Sequence, residues 1–552
     1  MLDGFTPWPA EAAARWRAEG LWEGRTICEM LAATAARHPA RIAVVDGERR
    51  VTYPELIALV ERLAARLVRA GLGRQDRVVM QLPNSLAFVV TWLALTRIGA
   101  IPVMALRAHR ETEVAHFVRN AGAVACMVPA VLQGFDHRAM ARAVAAQCPT
   151  LRMTFVLGEP LEGQQALGPL IDEPLDAESI SAALAGVHVD ASDVTTMLLS
   201  GGTTSLSKLI PRTHDDYLLN AKACARVAGF DEHTVLLAVL PLGHNYNLAS
   251  PGMLGVFGCG GCVVVSPAMD AATVFALVHK HRVTVIPAAV PLITAWLAAP
   301  VPEGCDLSSL KVIQNGGARL APELRRRLRE RFRCTPQEIY GTAEGLINMT
   351  RLDDPDELLL DTSGAPVCEA DEIKVVDDAG HEVPDGEPGE LLTRGPYTIR
   401  GYFNAPEKNR EAFTSDGFYR MGDIVRKRGR YVSTEGRRND LVNRGGEKIS
   451  CEEVENLMFR HPAVHQAALV AMPDPLFGEK ACAFVVCKPG SSLTLAELVA
   501  FLKAQRIASF KLPERLEVLD ALPTSLVGKV LKRQLRETIG QAPGGSASAA
   551  RR

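Results

Sequence analysis

The sequence predicts an α/β fold. It has a large N-terminal domain, made of two layered α/β subdomains and a β-rich subdomain, and a small α+β domain near the C-terminal end. Two observations predict this fold. Short apolar strands alternate with amphipathic helices along the first part of the chain, which is typical of largely parallel sheets. From about residue 364, short strands between Gly, Pro and Asp turns replace that alternation, and the pattern changes again near Asn439.

The N-terminal elements follow one another as strand and helix. The longest apolar run, 89–106, contains Arg97, Gly99 and Pro102, so we expect a helix and then a buried strand there, not a membrane span. Apolar residues at helical spacing predict helices at 53–70, 111–121, 271–281 and 291–298. Short apolar runs predict strands at 41–47, 77–83, 101–105, 125–129, 197–199, 234–241, 283–287 and 310–313.

The remaining elements set the expected domain boundaries. Strands at 372–376, 389–393 and 431–433 form the β-rich part, about 364–438, which completes an N-terminal domain of residues 1–438. Residues 439–539 then form a compact domain of ordinary size, and the Gly-, Ala- and Ser-rich segment 540–552 is expected to be disordered. The compact domain has predicted helices at 451–461 and 495–504 and strands at 466–472 and 481–488.

Composition and charge exclude several classes of protein. The 552 residues carry a formal net charge of −2, so there is no basic excess to attract nucleic acid. The N-terminus has no basic start followed by an apolar stretch, so we expect no secretory signal. The CxxC pair Cys259 and Cys262 lacks the further ligands of a metal site. We therefore expect a cytoplasmic protein with buried free thiols that binds neither nucleic acid nor a membrane.

A loop at 200–208 carries the first chemical signal. It follows the apolar strand 197–199, contains Gly201 and Gly202 among hydroxyl residues, and ends at Lys208. Glycines let the backbone approach an anion closely, while N–H groups, hydroxyls and a lysine can bind phosphate oxygens. No Gly-Lys-Ser/Thr sequence closes the loop, so it is not a P-loop of the Walker kind. Taken alone, an ordinary glycine turn explains it better.

Later segments carry further nucleotide-type signals. The small residues of 315–319 would let a flat ring lie on the backbone, and 340–345 offers an aromatic ring, a hydroxyl and a carboxylate suited to Mg²⁺. The segment 419–423 places Asp423 after a glycine turn, where it can bind both hydroxyls of a ribose. Each segment alone is better explained as a turn or a solvated surface. Three more follow in order, at 436–440, 443–448 and 523–529.

In this order the segments resemble the adenylate-forming superfamily, which includes acyl-CoA synthetases, luciferases and the adenylation domains of nonribosomal peptide synthetases. The resemblance spans about 25–538 and is closest to the stand-alone aryl-acid–AMP ligases of siderophore pathways. The segments that match the superfamily further are 52–56, 389–391 and 401–403, and those that match the aryl-acid ligases are 199–214, 244–252 and 345–354.

The resemblance implies two half-reactions in one site. A carboxylate attacks the α-phosphate of ATP and releases pyrophosphate, and a thiol then attacks the mixed anhydride and releases AMP. The first step concentrates negative charge, so it needs Mg²⁺ and positioned cations. The resemblance also implies that the small domain is a mobile lid. It would carry Lys529 into the site for the first step and exchange it for the loop 445–448 in the second.

Residue roles follow from the resemblance alone. Thr342 and Glu344 would act around the α-phosphate, with Glu344 as the Mg²⁺ ligand, and Lys529 would bridge the carboxylate and the α-phosphate. Ser205 and Ser207 depart from the family pattern, and we expect altered loop stiffness without loss of function. The implied hinge residues are Asn439 and Asp440, and those of the thiol tunnel are Gly445, Gly446 and Lys448. The implied ATP-binding residues are Ser200, Gly201, Gly202, Thr203, Thr204 and Lys208 at the phosphates, Gly316, Gly317, Ala318, Ile339, Tyr340 and Gly341 around adenine, and Asp423 and Arg437 at the ribose.

The aryl-acid pocket implied by the resemblance comprises His244, Asn245, Tyr246, Ser250 and Ile347. Asn245 would contact the 2-hydroxyl and carboxylate side of the ring, and Tyr246 would pack on the ring. Ser250 beside the 3-position can bind a 3-hydroxyl and favours 2,3-dihydroxybenzoate, whereas the bulk of Ile347 favours salicylate. We expect 2,3-dihydroxybenzoate as the substrate, with salicylate as the alternative.

The acyl acceptor is expected to be a separate molecule. The chain ends soon after Lys529 without a Gly-x-x-Ser-Leu attachment sequence, so the resemblance implies an aryl carrier protein with a phosphopantetheine thiol, acting in trans. Free coenzyme A, as in an aryl-CoA ligase, is the alternative, and the motif at 244–246 speaks against it. A nucleotide-binding protein without catalysis is a third reading. It does not explain why Lys529, Glu344 and Asp423 occur together.

Overall fold

The computed structural model describes residues 2–200, 207–437, 441–444, 447–505, 507–525 and 530–541, without the side chains of 437, 448, 540 and 541. The helices are α1 (Ala10–Ala18), α2 (Ile27–Arg37), α3 (Tyr53–Arg69), α4 (Leu86–Arg97), α5 (Glu111–Ala121), α6 (His137–Gln147), α7 (Leu167–Asp172), α8 (Ala177–Leu184), α9 (His214–Val227), α10 (Asn245–Ala249), α11 (Gly252–Cys259), α12 (Ala271–His281), α13 (Val290–Ala298), α14 (Pro322–Phe332), α15 (Asp356–Asp361), α16 (Pro406–Ala412), α17 (Cys451–Met458), α18 (Leu495–Ala504) and α19 (Lys532–Gln541).

The strands lie between these helices. They are β1 (Ile42–Asp46), β2 (Arg49–Thr52), β3 (Arg77–Met80), β4 (Ile101–Met104), β5 (Ala125–Pro129), β6 (Val131–Leu132), β7 (Phe135–Asp136), β8 (Met153–Leu157), β9 (Gln165–Ala166), β10 (Val194–Leu199), β11 (Leu209–Thr213), β12 (Val235–Ala238), β13 (Cys262–Val265), β14 (Val285–Ala288), β15 (Val312–Gly316), β16 (Thr335–Thr342), β17 (Gly345–Met349), β18 (Ala365–Pro366), β19 (Glu372–Val376), β20 (Pro388–Arg394), β21 (Tyr419–Arg428), β22 (Tyr431–Arg437), β23 (Val442–Arg444), β24 (Glu447–Ile449), β25 (Val464–Asp474), β26 (Gly478–Cys487) and β27 (Arg515–Val518).

Two large sheets form the layered part of the chain. One has nine strands in the order β18-β17-β16-β15-β14-β12-β13-β1-β2, parallel from β16 to β1 and antiparallel at both ends. The other has seven strands in the order β11-β10-β4-β3-β5-β8-β9, with β11 antiparallel to β10 at its edge. Helices between parallel strands must cross over the sheet faces, so both sheets belong to α/β layers. The predicted α/β class is confirmed.

Local sequence explains why the first long helix forms where it does. Thr52 caps α3, accepting a hydrogen bond from the backbone N–H of Glu55, while the Glu55 carboxylate accepts one from the N–H of Thr52. Such a capping box contributes on the order of 1 kcal/mol. The helix then buries an apolar stripe against the core, as its predicted spacing requires. The stripe comprises Leu56, Leu59, Val60, Leu63 and Leu67.

The β-rich part is a four-stranded antiparallel sheet in the order β19-β20-β21-β22. The C-terminal part has its own sheet, β24-β23-β26-β25 with β27 beside β26, and its own apolar core, which includes Val442, Val454, Leu469 and Leu498. The division at residue 438/439 stays a prediction, and residues 438–440 lie outside the described ranges. Helix α19 extends to Gln541, two residues into the segment predicted to be disordered, and 542–552 are not described.

The described ranges show the helices, the possible metal ligands and the cysteines on which the remaining expectations depend. There, no helix is long and apolar enough to cross a membrane, and no cluster of three or more His, Cys, Asp or Glu side chains could hold a metal ion. The apolar run at 89–106 forms the buried helix α4 and strand β4, as predicted. All twelve cysteines are free thiols, but the expectation that they are buried is wrong for Cys259 and Cys262, which are partly exposed.

Candidate active site

Six of the predicted ATP-binding residues line one cavity of about 210 Å³. They come from the turn after β15, from β16 and from β21, and they are Gly317, Ala318, Ile339, Tyr340, Gly341 and Asp423. The C-terminal part of the chain lines another side of the cavity, with Glu452, Glu455, Ala467, Ala468, Val530 and Lys532. The cavity is therefore closed by residues from both parts of the chain, as a lid over a nucleotide site would require.

A buried polar cluster fixes the turn after β15. Asn315 donates from Nδ2 to the Ala318 carbonyl at 2.7 Å and to Glu338 Oε2 at 2.9 Å. Glu338 forms an ion pair with the buried Arg325, at 3.0 Å between Nη2 and Oε2. Burial raises the pKa of Glu338, and the nearby guanidinium opposes that rise. These contacts hold the 315–318 backbone in one conformation, with Gly317 at a positive φ of 86° that suits glycine.

Gly316 allows the predicted adenine segment to touch the predicted aryl-acid pocket. A Cβ at this position would lie 2.9 Å from the Tyr246 ring, closer than carbon atoms approach one another. Gly316 also pairs with Ile339 across β15 and β16. The ring of Tyr246 therefore packs directly on the Gly316 backbone, so the two predicted subsites share a wall.

Tyr340 and Asp423 meet at the ribose position implied by the resemblance. The Tyr340 hydroxyl donates to Asp423 Oδ2 at 2.8 Å. The expectation that Asp423 follows a glycine turn is wrong. Gly422, at φ 71°, lies inside β21, and the β20–β21 register shifts nearby, so the strand bends but continues. Asp423 pairs in register with Arg437, whose side chain is not described.

The short turn between β16 and β17 carries Thr342 and Glu344. Thr342 donates from Oγ1 to the Gly345 carbonyl at 2.9 Å, and the backbone N–H of Ile399 donates to the Glu344 carbonyl at 2.8 Å. Glu344 Oε1 accepts a hydrogen bond from the Tyr402 hydroxyl at 2.8 Å. The turn is therefore tied to the chain on both sides, and the Glu344 carboxylate, 7% exposed as a residue, has one oxygen oriented by Tyr402.

Lys208 contacts the ring of Tyr402, the residue whose hydroxyl binds Glu344. Its Nζ lies 4.7 Å from the centroid of the Tyr402 ring, within cation–π distance. Burial lowers the pKa of Lys208, and the Glu344 charge opposes that change. Ser200 and Lys208 join the two ends of the predicted phosphate loop, since each donates a backbone N–H to the other residue, at 3.0 and 2.9 Å. Tyr402 lies in the matched segment 401–403, but the motifs predict no role for it.

The predicted aryl-acid residues cluster around the short helix α10. Asn245 Oδ1 accepts from the Tyr217 hydroxyl at 2.9 Å, and its Nδ2 donates to Ser250 Oγ at 3.2 Å. His244 caps the helix by accepting the Tyr246 N–H at Nδ1, 3.3 Å away, and burial lowers the pKa of His244 to about 4. His244 is thus neutral at physiological pH.

Ile347 lies on β17 and packs in the same apolar cluster as Tyr246. Its backbone N–H donates to the Tyr397 hydroxyl at 3.2 Å. Several predicted site residues fall outside the described ranges. They are Lys529, Gly201, Gly202, Thr203, Thr204, Ser205, Asn439, Asp440, Gly445 and Gly446. Lys448 lies on β24 opposite Asn443, without a described side chain.

Comparison with known proteins identifies the family. Residues 31–403 match the AMP-binding enzyme family, and residues 453–529 match the AMP-binding enzyme C-terminal domain. The chain belongs to the AMP-binding enzyme family. The 2,3-dihydroxybenzoate-AMP ligase of Bacillus subtilis is 46% identical to this AMP-binding enzyme over 542 residues, which cover 98% of each chain.

Two further proteins extend the comparison. The salicyl-AMP ligase / salicyl-S-ArCP synthetase of Mycobacterium tuberculosis is 42% identical over 550 residues, which cover 98% of this chain and 96% of that protein. The apo structure of Mycobacterium smegmatis MbtA has a TM-score of 0.74 at 38% identity and covers 97% of this chain and 98% of that one. The predicted membership in the adenylate-forming superfamily is confirmed, and so is the prediction of an ATP-using enzyme of the acid–thiol ligase class.

Proposed function

We propose that this AMP-binding enzyme uses ATP to adenylate an aryl acid and then transfers the aryl group to the thiol of a phosphopantetheinylated carrier protein in trans. One observation carries the proposal. The Tyr246 ring packs on the Gly316 backbone, next to the cavity lined by predicted ATP-binding residues, and its helix α10 also carries Asn245, which donates to Ser250. A ring acid bound in the predicted aryl-acid pocket would have its carboxylate next to the α-phosphate of bound ATP.

The first half-reaction joins a carboxylate oxygen to the α-phosphorus and breaks its bond to pyrophosphate. Lys208 and the backbone of its loop would hold the departing phosphates, and Tyr340 with Asp423 would hold the nucleoside. Bound Mg²⁺ would neutralise charge on the phosphates. Magnesium is usually held by one or two carboxylates and substrate phosphates, so the single Glu344 carboxylate, already oriented by Tyr402, fits that role.

The names of the relatives support an aryl acid as the substrate, but they name two different aryl acids. The Bacillus subtilis protein is named for 2,3-dihydroxybenzoate and the Mycobacterium tuberculosis protein for salicylate. We favour 2,3-dihydroxybenzoate, because Ser250 offers a hydroxyl within hydrogen-bond distance of Asn245, where a 3-hydroxyl can be bound. The bulk of the Ile347 side chain favours salicylate, as the resemblance implies.

ATP–pyrophosphate exchange with a panel of aryl and aliphatic acids tests the activity and the substrate together. We expect exchange with 2,3-dihydroxybenzoate and salicylate, and the higher kcat/KM with the first. A Ser250→Cys variant should shift the preference toward salicylate, because the weaker S–H donor leaves a 3-hydroxyl poorly paired. Exchange stimulated only by aliphatic acids would contradict the proposal. An unchanged substrate ratio in Ser250→Cys would remove the argument for the 3-hydroxyl.

The C-terminal part of the chain is proposed to act as the lid. Val530, which directly follows Lys529, lines the ATP cavity, so the described arrangement fits the adenylation step. Lys529→Ala should abolish exchange but largely spare thiol transfer from preformed aryl-AMP, because the lysine would act only in the first half-reaction. Equal survival of both half-reactions would contradict the lid assignment.

The acceptor is tested by supplying each thiol with preformed aryl-AMP. The name salicyl-S-ArCP synthetase of one relative supports a carrier protein. We expect aryl transfer to a phosphopantetheinylated aryl carrier protein, detected as a mass increase of the carrier. Transfer only to free coenzyme A, with the carrier left unmodified, would replace this reading with that of an aryl-CoA ligase.

A further inference from the structure

A buried asparagine on α9 lies directly behind Ser250. Asn220 is fully buried, and its Nδ2 lies 2.6 Å from the Ala249 carbonyl and 3.4 Å from Ser250 Oγ. A carbonyl oxygen can only accept a hydrogen bond, so the Ala249 carbonyl fixes which end of the Asn220 amide faces the helix end. The nitrogen of Asn220 must therefore face Ser250 as well.

Ser250 thus receives two hydrogen bonds from side-chain amides. Asn220 donates from one side, and Asn245 donates from the other at 3.2 Å. A serine hydroxyl has two acceptor positions and a single donor. With both acceptor positions used, the Ser250 hydrogen remains to be donated. The Asn245 amide, whose oxygen is held by the Tyr217 hydroxyl, keeps a second N–H that is not used by Ser250.

We propose that Asn220 is a specificity-determining positioning residue, which holds Ser250 as a hydrogen-bond donor toward the 3-position of the aryl acid. The inference rests on the proposed function, since it assumes that an aryl acid occupies this pocket. The pocket then selects a group that accepts a hydrogen bond at the 3-position. The oxygen of a 3-hydroxyl accepts from Ser250 and donates its own hydrogen to the 2-oxygen. Salicylate, with only C–H there, leaves the buried Ser250 hydrogen without a partner.

The expected effect is a change in substrate ratio, not in activity alone. Removing the Asn220 amide frees an acceptor position on Ser250, so the Ser250 hydroxyl can rotate. The kcat/KM values for 2,3-dihydroxybenzoate and salicylate then become more similar. One neutral hydrogen bond corresponds to about a three- to tenfold change. We therefore expect Asn220→Ala to lower the ratio of kcat/KM for 2,3-dihydroxybenzoate over salicylate by about that factor.

The experiment measures this ratio by ATP–pyrophosphate exchange in the full chain. Ser250→Ala and the double variant complete a cycle with Asn220→Ala, and we expect the Asn220 substitution to leave the ratio unchanged once Ser250 is alanine. Asn220→Asp, which keeps the volume but replaces the donor with an acceptor, is the second variant and should lower the ratio at least as far. Asn247→Ala is the matched control. Asn247 is also buried and binds a backbone carbonyl, that of Leu240 at 2.5 Å, so its loss should not move the ratio.

Three results would overturn the inference. One is an unchanged ratio in folded Asn220→Ala and Asn220→Asp enzyme. Another is an Asn220→Ala effect of the same size with and without the Ser250 hydroxyl, which would indicate a general effect on α10. Both leave the proposed function standing, because the unsubstituted enzyme still adenylates aryl acids. Absence of exchange with every aryl acid in the unsubstituted enzyme would overturn the proposed function and this inference together.

Discussion

Asp371 is a buried acid linked through Tyr397 to Ile347, one of the predicted aryl-acid residues. The Tyr397 hydroxyl donates to Asp371 Oδ2 and accepts the backbone N–H of Ile347. Burial raises the pKa of Asp371 to about 7, against the lowering effect of the Tyr397 hydrogen bond. The folded state therefore binds a proton here that the unfolded chain loses near pH 4, so this residue makes folding less favourable as pH rises from about 4 to about 7.

Asp371→Asn should remove that pH dependence, because an amide keeps an acceptor for Tyr397 without a charge. Relative to the parent, the variant gains unfolding free energy at both pH values, and we expect that gain to be about 3 kcal/mol larger at pH 8 than at pH 5. Urea unfolding at the two pH values measures it. Asp306→Asn is the control, since Ser308 and Arg282 lower the pKa of that exposed carboxyl, and it should give no gain at pH 8. A gain for Asp371→Asn that is equal at both pH values would contradict the assignment.

Tyr402 positions both a cation and a carboxylate, so its hydroxyl can be tested apart from its ring. Tyr402→Phe keeps a ring under Lys208 but removes the donor to Glu344. A hydrogen bond to a charged group is worth about 1.5–3 kcal/mol, so we expect the kcat/KM of exchange to fall at least tenfold. We also expect a higher Mg²⁺ concentration at half-maximal rate.

Tyr53→Phe is the matched control for Tyr402. Tyr53 is equally buried, and its hydroxyl donates to the Gly261 carbonyl at 2.7 Å, in the core between α3 and α11. Its loss should lower stability without changing the Mg²⁺ dependence. The same Mg²⁺ dependence in Tyr402→Phe and the parent enzyme would show that Tyr402 does not orient a metal ligand.

At the scale of elements, one guanidinium joins β11, α9 and the β16–β17 turn. Arg212 is fully buried and pairs with Asp216 at 2.5 Å, while Nη1 donates to the Ala343 carbonyl at 3.0 Å. Its carbon Cζ lies 4.8 Å from the ring centroid of Tyr217, whose hydroxyl holds Asn245. The turn that carries Glu344 and the helix that carries Tyr217, the partner of the predicted aryl-acid residue Asn245, are therefore contacted by the same side chain.

Arg212→Met should lower the free energy of unfolding by about 3–5 kcal/mol, because it leaves Asp216 buried without its cation. Combining it with Asp216→Asn should recover part of that loss, since the uncompensated charge disappears. Denaturant unfolding of the two single variants and the double variant measures the coupling. If the loss of unfolding free energy in the double variant equalled the sum of the losses in the two single variants, the ion pair would not link these elements.

Periodicity predicted helices such as α3, α5 and α12 and strands such as β1, β3 and β5, because these elements bury apolar faces. It missed β16, where Gln337 and Glu338 are buried and are paired with Gln314 and Arg325 from other elements. A strand whose inward residues are polar has no apolar pattern, and the partners that make its burial favourable lie elsewhere in the chain.

Distant partners also limit how much of the site can be predicted from the sequence. Motif order predicted that Gly317, Tyr340 and Asp423 share a site, and they line one cavity. It gave no role to Tyr402 or Asn220. Tyr402 contacts Glu344, 58 residues away, and Asn220 contacts Ser250, 30 residues away, and neither contact leaves a local pattern in the sequence. Such partners become visible only when the strands and helices are packed together.

At the scale of the whole molecule, a partly buried polar contact joins the C-terminal part to the wall of the predicted ATP cavity. Glu452 on α17 accepts from the Thr434 hydroxyl at 3.0 Å, and its Oε1 lies 3.4 Å from Nη1 of Arg319. The ion pair between Glu455 and Lys532, at 2.7 Å, also faces the Glu452 carboxylate. Burial raises the pKa of Glu452 to about 7, while Arg319 opposes the rise.

This contact should make the lid orientation sensitive to pH. A glutamate that faces water after the lid has rotated has a pKa of about 4.3, so the orientation described here binds a proton more tightly. Lowering the pH from 8 to 6 therefore favours this orientation, and the effect is lost as pH rises through about 7. If the proposed rotation limits the rate, exchange should gain up to about tenfold from the contact over this range.

Glu452→Gln isolates the effect, because an amide mimics the protonated acid and still accepts from Thr434. We expect the ratio of parent to variant exchange rates to rise as the pH falls from 8 to 6, and the variant to be at least as active as the parent at pH 8. Thiol transfer from preformed aryl-AMP serves as the internal comparison, because a lid that has turned away no longer buries this carboxyl and should not share the gain. Parallel pH profiles of exchange in parent and variant would mean that protonation of Glu452 does not influence the lid.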